Sequence, residues 1–204
     1  MRAQNYLHRM TVALAVGSLL LGPGAAPFAR AQTAPDADAA DAADAADAVD
    51  PPARVGRLAG VVGAVSFHTG DQTEWAPATA NYPVTSGNSF WTQPGSAADV
   101  ELGSTRVAMD QGTELDVDTL DDHNFTTTLP QGALFLNVRA VQAGDSYEII
   151  TPRGVVTIGQ PGRYEVVAGD MANPTTVTVV EGAAQITGED IDVTISDRQS
   201  AQLT

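Results

Sequence analysis

Ala98-Asp-Val-Glu-Leu-Gly-Ser-Thr-Arg-Val-Ala-Met-Asp-Gln-Gly-Thr-Glu-Leu-Asp-Val-Asp118 is the stretch that decides the fold. Ala98, Val100 and Leu102 alternate with Asp99 and Glu101. A period of two puts the apolar set on one face of a strand and the acidic set on the other. Gly103-Ser104 has the length and composition of a two-residue hairpin turn. Val107 and Met109 then alternate with Arg106 and Asp110, Gln111-Gly112 turns the chain again, and Glu114-Leu-Asp-Val-Asp118 resumes the alternation. Three half-buried strands in so short a run predict antiparallel sheet.

The pattern extends in both directions. Phe125, Thr127 and Leu129 share one face of a strand, and so do Leu134, Leu136 and Val138, with Asn137 and Arg139 opposite. Tyr147–Ile150, Val155–Ile158, Arg163–Val167, Thr175–Val180 and Ile191–Ile195 complete the set. Turn signals recur about every 8–12 residues, the spacing of an all-β domain. No window after the N-terminal region places apolar residues at helical spacing. Gly63-Ala-Val-Ser-Phe67, Gly132-Ala-Leu-Phe-Leu136 and Gly182-Ala-Ala-Gln-Ile186 each open a strand with Gly-Ala. Glycine there permits a positive φ or a bulge. The copies are irregularly spaced, whereas a strict solenoid keeps its period. The expected fold is therefore all-β, an irregular β-solenoid or β-roll-like stack of antiparallel hairpins, over residues 53–204.

The N-terminus is different material. Arg2, His8 and Arg9 precede an apolar run from Met10 to Leu21, Gly22-Pro23-Gly24 breaks it, and Ala29-Arg30-Ala31 supplies a small-residue cleavage site. This is the pattern of a secretory signal peptide over residues 1–31, cut after Ala31. The run is too short to span a bilayer, which needs about 20 apolar residues. The mature chain is expected in the periplasm or outside the cell, with no membrane span. In residues 32–52, Asp38, Asp41, Asp44, Asp47 and Asp50 recur among alanines. A period of three smears charge around a helix and leaves no apolar face, so this is an Ala/Asp-rich disordered spacer.

Composition excludes more than it names. The 204 residues include 10 Arg, no Lys and no Cys, against 25 acids. Absent Cys removes disulfide scaffolds, thiolate metal sites and a Cys nucleophile. Absent Lys removes Schiff-base chemistry. Cleavage would remove Arg2, Arg9 and Arg30 and no acid, taking the formal net charge from −15 to −18. Nucleic acid is excluded as a partner, because phosphate binding needs a basic face.

The order of motifs resembles a FecR-like periplasmic domain. Its carriers are Gly56–Phe67, Trp75 with Pro77-Ala78, Pro83–Gly87, Phe90-Trp-Thr92, Gly95-Ser96, Val100–Ser104 and Thr113–Val117. The second half adds Leu129–Leu134, Ile150–Gly154, Val177–Ala183 and Arg198-Gln199, where the family usually has Gly-Gln. The resemblance implies an all-β, solenoid-like domain outside the cytoplasm, without catalytic residues. The family's best-known members sense an occupied outer-membrane transporter and relay that state to a sigma factor through a cytoplasmic helical module. Only about nine residues precede the apolar run here. The resemblance is thus to the domain and not to the relay.

Candidate chemistry is sparse. His68 and His123 both sit at turns, where a solvated histidine is the alternative to a general base. There is no G-x-S-x-G and no H-E-x-x-H. Glu114, Asp116 and Asp118 share a strand face about 7 Å apart. They are the candidate cation site, with the wet face of a half-buried strand as the plainer reading. Trp75, Tyr82, Phe90 and Trp91 cluster in sequence and are the candidate partner-binding set, with core packing as the alternative. No cofactor is implied. The leading expectation is an exported, non-enzymatic binding or regulatory module of the cell envelope, contacting a protein or a polysaccharide. A self-associating structural protein is the alternative, and a carboxylate-based hydrolase using Asp116 and Asp118 is the third reading.

Overall fold

The structure, a computed structural model, describes residues 54–170, 172–189 and 191–204. The signal peptide and spacer expected at 1–31 and 32–52 lie outside the described residues. Among the described residues there are seventeen strands and no helix.

The strands form two sheets. The first holds β1 (Gly56–Val62), β4 (Pro83–Val84), β6 (Ala97–Leu102), β7 (Thr105–Met109), β10 (Ala133–Val138), β13 (Gly162–Val167), β14 (Thr175–Glu181) and β17 (Gln199–Leu203). The second holds β2 (Val65–His68), β3 (Ala76–Pro77), β5 (Ser89–Thr92), β8 (Glu114–Leu120), β9 (Asn124–Gln131), β11 (Ser146–Thr151), β12 (Gly154–Ile158), β15 (Ala183–Thr187) and β16 (Asp192–Ser196). Apart from the two-residue strands at one end, each sheet follows chain order: β1-β6-β7-β10-β13-β14-β17 in the first and β2-β5-β8-β9-β11-β12-β15-β16 in the second. Neither sheet closes into a barrel.

Direction follows from counting strands. Where the chain lays a two-strand hairpin in one sheet before returning to the other, the returning strand runs antiparallel to the one it left. This holds for β5 with β8, β7 with β10, β10 with β13, and β12 with β15. Between β9 and β11 the chain lays only β10 in the other sheet. One pass instead of two reverses the outcome, and β11 pairs parallel to β9. Every other pairing in the two sheets is antiparallel.

The Gly-Ala steps are where the chain changes sheet. Gly63 joins β1 to β2, Gly132 joins β9 to β10 and Gly182 joins β14 to β15, at φ of 73°, 90° and 98°. Each corner has a side chain on its backbone. Ala64 N–H donates to Ser96 Oγ (2.8 Å), Ala133 N–H to Thr113 Oγ1 (3.0 Å), and Gly182 N–H to Asp197 Oδ1 (2.6 Å).

One core lies between the sheets and draws on both. Leu58, Val100 and Leu136 come from the first sheet, and Phe90, Leu115 and Phe125 from the second. Strands bury alternate residues, as in β6 and β11. The buried hydroxyls are paired: Thr105 Oγ1 donates to Tyr147 Oη (3.1 Å), and Tyr164 Oη donates to the Gln160 carbonyl (2.8 Å). Both sheets end on one side in two-residue strands containing proline, Pro77 and Pro83. Proline cannot donate to a ladder, so these edges resist further pairing. On the other side the sheets end in β16 and β17, which contain none.

Candidate functional site

The two outer faces differ in chemistry. Every arginine that lies on a strand is in the first sheet: Arg57, Arg106 and Arg163. One row across that sheet reads Arg57, Glu101, Arg106, Asn137, Arg163, Glu181. Arg57 bonds Glu101 at 2.6 Å, Arg106 grips Asp99 through two nitrogens at 2.6 and 3.0 Å, and Arg163 lies 3.3 Å from Glu181. Asp99 is the main cause that lifts the Arg106 guanidinium above its ordinary range. The first face is occupied with its own charges.

The second face carries no arginine on its strands. A row across it reads Ser66, Trp91, Glu114, Gln131 on β2, β5, β8 and β9. Strands stand about 4.8 Å apart, so the row spans about 14 Å. With Trp75 and Gln93 these residues line a cleft of about 420 Å³. Trp75 precedes β3 and is 44% exposed. Its ring meets the His68 ring edge to face, with centroids 4.5 Å apart.

The row rests on a locked floor. Thr92 and Thr113, each one residue from a member of the row, are fully buried. Thr92 Oγ1 donates to the Asp110 carbonyl (2.5 Å) and accepts from Thr113 N–H (2.9 Å). Thr113 Oγ1 in turn accepts from Ala133 N–H, two residues beyond Gln131 (3.0 Å). Above this floor, Gln131 Nε2 donates to Glu114 Oε2 at 3.0 Å. A site whose supporting residues are bonded below it is preformed.

The sequence candidates divide accordingly. Of the aromatic set, Trp75 and Trp91 line the cleft, while Phe90 is fully buried. This corrects the reading of Phe90 as a contact residue. It neighbours Trp91 on one strand, and neighbours on a strand point to opposite faces. Tyr82 is half-buried against the core, its ring centroid 4.0 Å from that of Phe67. Glu114, Asp116 and Asp118 do lie on one face of β8, but they are engaged separately. Glu114 bonds Gln131, and Asp118 accepts from Thr128 Oγ1 at 2.8 Å. Among the described residues no three acidic or histidine side chains converge as a metal set. His123 Nδ1 lies 3.2 Å from Asp145 Oδ1, away from the cleft. Backbone N–H of Gln142, then His123, holds Asp145 below the usual carboxylate range.

Ser66, Gln93 and Gln131 were invisible as site residues in the sequence. Each is an ordinary polar residue until folding gathers it into one cleft with the tryptophans, and a grouping that spans 65 residues leaves no local signal.

Residues 88–185 match the family described as FecR protein. Trp91, Gln93, Glu114 and Gln131 fall inside that match, and Ser66 and Trp75 precede it. Two crystal structures of a candidate anti-sigma factor from Parabacteroides distasonis ATCC 8503 are similar to the chain. Each is 18% identical, covers 55% of this chain and 52% of that one, and has a TM-score of 0.49. The chain thus spans about half the length of the solved structures it matches. No curated protein matches it. Among the described residues, no helix is long and apolar enough to cross a membrane.

Proposed function

We propose, for a chain whose residues 88–185 belong to the FecR family, that it is an exported, non-enzymatic regulatory module of the cell envelope, and that the outer face of its second sheet meets the partner. One observation carries this reading: the asymmetry of the two faces. The first sheet's arginines are satisfied within the fold, while the second sheet presents two tryptophans over a rigid polar floor. Tryptophan is among the residues enriched as anchors of interfaces. The signal peptide pattern supports export. The passage of the chain along both sheets in order supports taking the fold as an irregular roll.

The test places a photo-crosslinking side chain at Trp91 or, as a control, at Arg106, in living cells. The expected result is a specific cross-link from position 91 only, on a protein that begins at Gln32. Retention in the cytoplasm with Met1 intact, or equal silence from both faces, overturns the proposal. A second reading, self-association, is supported by the edge strands β16 and β17, which lack the proline of the opposite edges. It predicts a mass that rises with concentration in light scattering.

A further inference from the structure

We infer that the cleft of Ser66, Trp75, Trp91, Gln93, Glu114 and Gln131 binds a neutral saccharide chain. This rests on the proposal that the second face meets the partner, and it names that partner's chemistry.

A sugar ring has two kinds of surface. Its C–H face is apolar and lies on an indole. Its rim is a series of hydroxyls, each both donor and acceptor. A site for it needs aromatic faces beside groups that accept and donate in a plane. Here Trp75 and Trp91 supply the faces. The carboxylate of Glu114 accepts, the amides of Gln93 and Gln131 do both, and the hydroxyl of Ser66 does both. The Gln131–Glu114 bond of 3.0 Å uses Glu114 Oε2 and one amide hydrogen. Among the described residues no bond occupies Glu114 Oε1 or Gln131 Oε1, so each can take a hydroxyl.

Shape and charge narrow the class. The cleft volume of about 420 Å³ is at the small end for a ligand site. The row of side chains runs straight across four strands, which suits a linear chain better than a compact metabolite. Asp116 and Asp118 continue from Glu114 along the same face of β8, and no strand of this sheet bears an arginine. A phosphate, an acidic polysaccharide or an acidic peptide would meet the carboxylates of Glu114, Asp116 and Asp118 with no strand arginine of this sheet to offset them. A basic peptide is the competing occupant, since a cation can sit over indole beside a carboxylate. The paired amides favour the saccharide: an ammonium gains nothing from the N–H donors that a hydroxyl rim uses.

The experiment titrates the exported chain with cellohexaose, chitohexaose and maltohexaose. Polygalacturonate and an arginine-rich peptide are the charged comparators. Tryptophan emission and calorimetry are the readouts. The expected result is saturable binding of at least one neutral oligosaccharide with an emission shift. Affinity should fall about tenfold or more in Trp91→Ala and in Trp75→Ala, the loss expected of an aromatic anchor. It should fall less in Gln131→Ala, and remain unchanged in Arg106→Ala on the other face. Circular dichroism of each variant separates lost binding from lost fold, and Trp75, outside the strands, is the variant least able to disturb folding. The inference is overturned if no neutral oligosaccharide binds, if binding ignores both tryptophan substitutions, or if the basic peptide binds the cleft instead. In these cases a cross-link from position 91 to an envelope protein would leave the regulatory proposal standing. Silence in that cross-linking alongside saccharide binding would do the reverse.

Discussion

Asp121 and Asp170 hold two turns by the same device. Each opens an Asp-x-x-Asn run, 121–124 and 170–173. Asp121 Oδ1 accepts backbone N–H of His123 and Asn124 at 2.8 and 2.7 Å, and Asp170 Oδ1 those of Ala172 and Asn173, both at 2.7 Å. The asparagine amide closes each loop on the carboxylate. These bonds, the asparagine amide's first, hold both carboxyls below the usual range. A depressed pKa in the folded state means stability that is present above the unfolded value. It is lost as pH falls through the folded one, because the unfolded chain takes up protons first. We therefore expect the urea midpoint to fall below about pH 4, the ordinary aspartate range. In Asp121→Asn with Asp170→Asn the acid limb should be shallower, since asparagine keeps an acceptor oxygen but cannot titrate. An unchanged limb would mean other carboxylates govern it. The turn at 121–124 was legible, because Asp and Asn are turn residues for this reason. The split of the aromatic set was also within reach. Phe90 and Trp91 are adjacent on a strand and cannot share a face. What the sequence lacked was any sign of which one faces the core.

At the scale of elements, the alternation of Ala98–Asp118 became β6, β7 and β8 with the faces as read, and Gly103 takes φ 61° at the first position of its turn, as a II′ hairpin requires. The Gly-Ala steps were legible as strained places but not as sheet crossings. Periodicity of two says which face a residue takes and nothing about which strand will lie beside it. For the same reason the parallel β9–β11 pair and the two-residue edge strands left no trace. The corners now separate two costs of replacing glycine. Gly103 has open space around it, so Gly103→Ala costs only the strain of its positive φ, about 1–3 kcal/mol. At Gly132 a methyl group would also meet the Cα of Thr113, the residue just before β8. Gly132→Ala should therefore cost clearly more than Gly103→Ala in chemical unfolding, because backbone must shift. It should also perturb the cleft, since Gly132 adjoins Gln131 and Thr113 adjoins Glu114. Equal losses at the two positions would show that the corner is looser than its packing implies.

For the molecule as a whole, charge sets a competition that salt can decide. Residues 54–204 hold seven arginines and 19 acids, the other six acids lying in 32–52. A compact state with that imbalance repels itself. Opposing it are the ion pairs of the first sheet, Arg57–Glu101, Arg106–Asp99 and Arg163–Glu181, whose arginines are all about half exposed. Exposed pairs contribute only about 0–1 kcal/mol each. Both terms are screened by salt, since the Debye length falls from roughly 30 Å at 0.01 M to about 3 Å at 1 M. The repulsion acts between many acids over long distances, so it is screened first, while contact pairs persist. Stability at pH 7 should thus rise between low and moderate sodium chloride, read as an increasing urea midpoint. The same addition should leave the midpoint of Arg106→Ala rising at least as steeply, because that variant has more uncompensated charge. A midpoint that falls with salt would mean the arginine row contributes more than the acids oppose. The first sheet would then be the electrostatic spine of the fold.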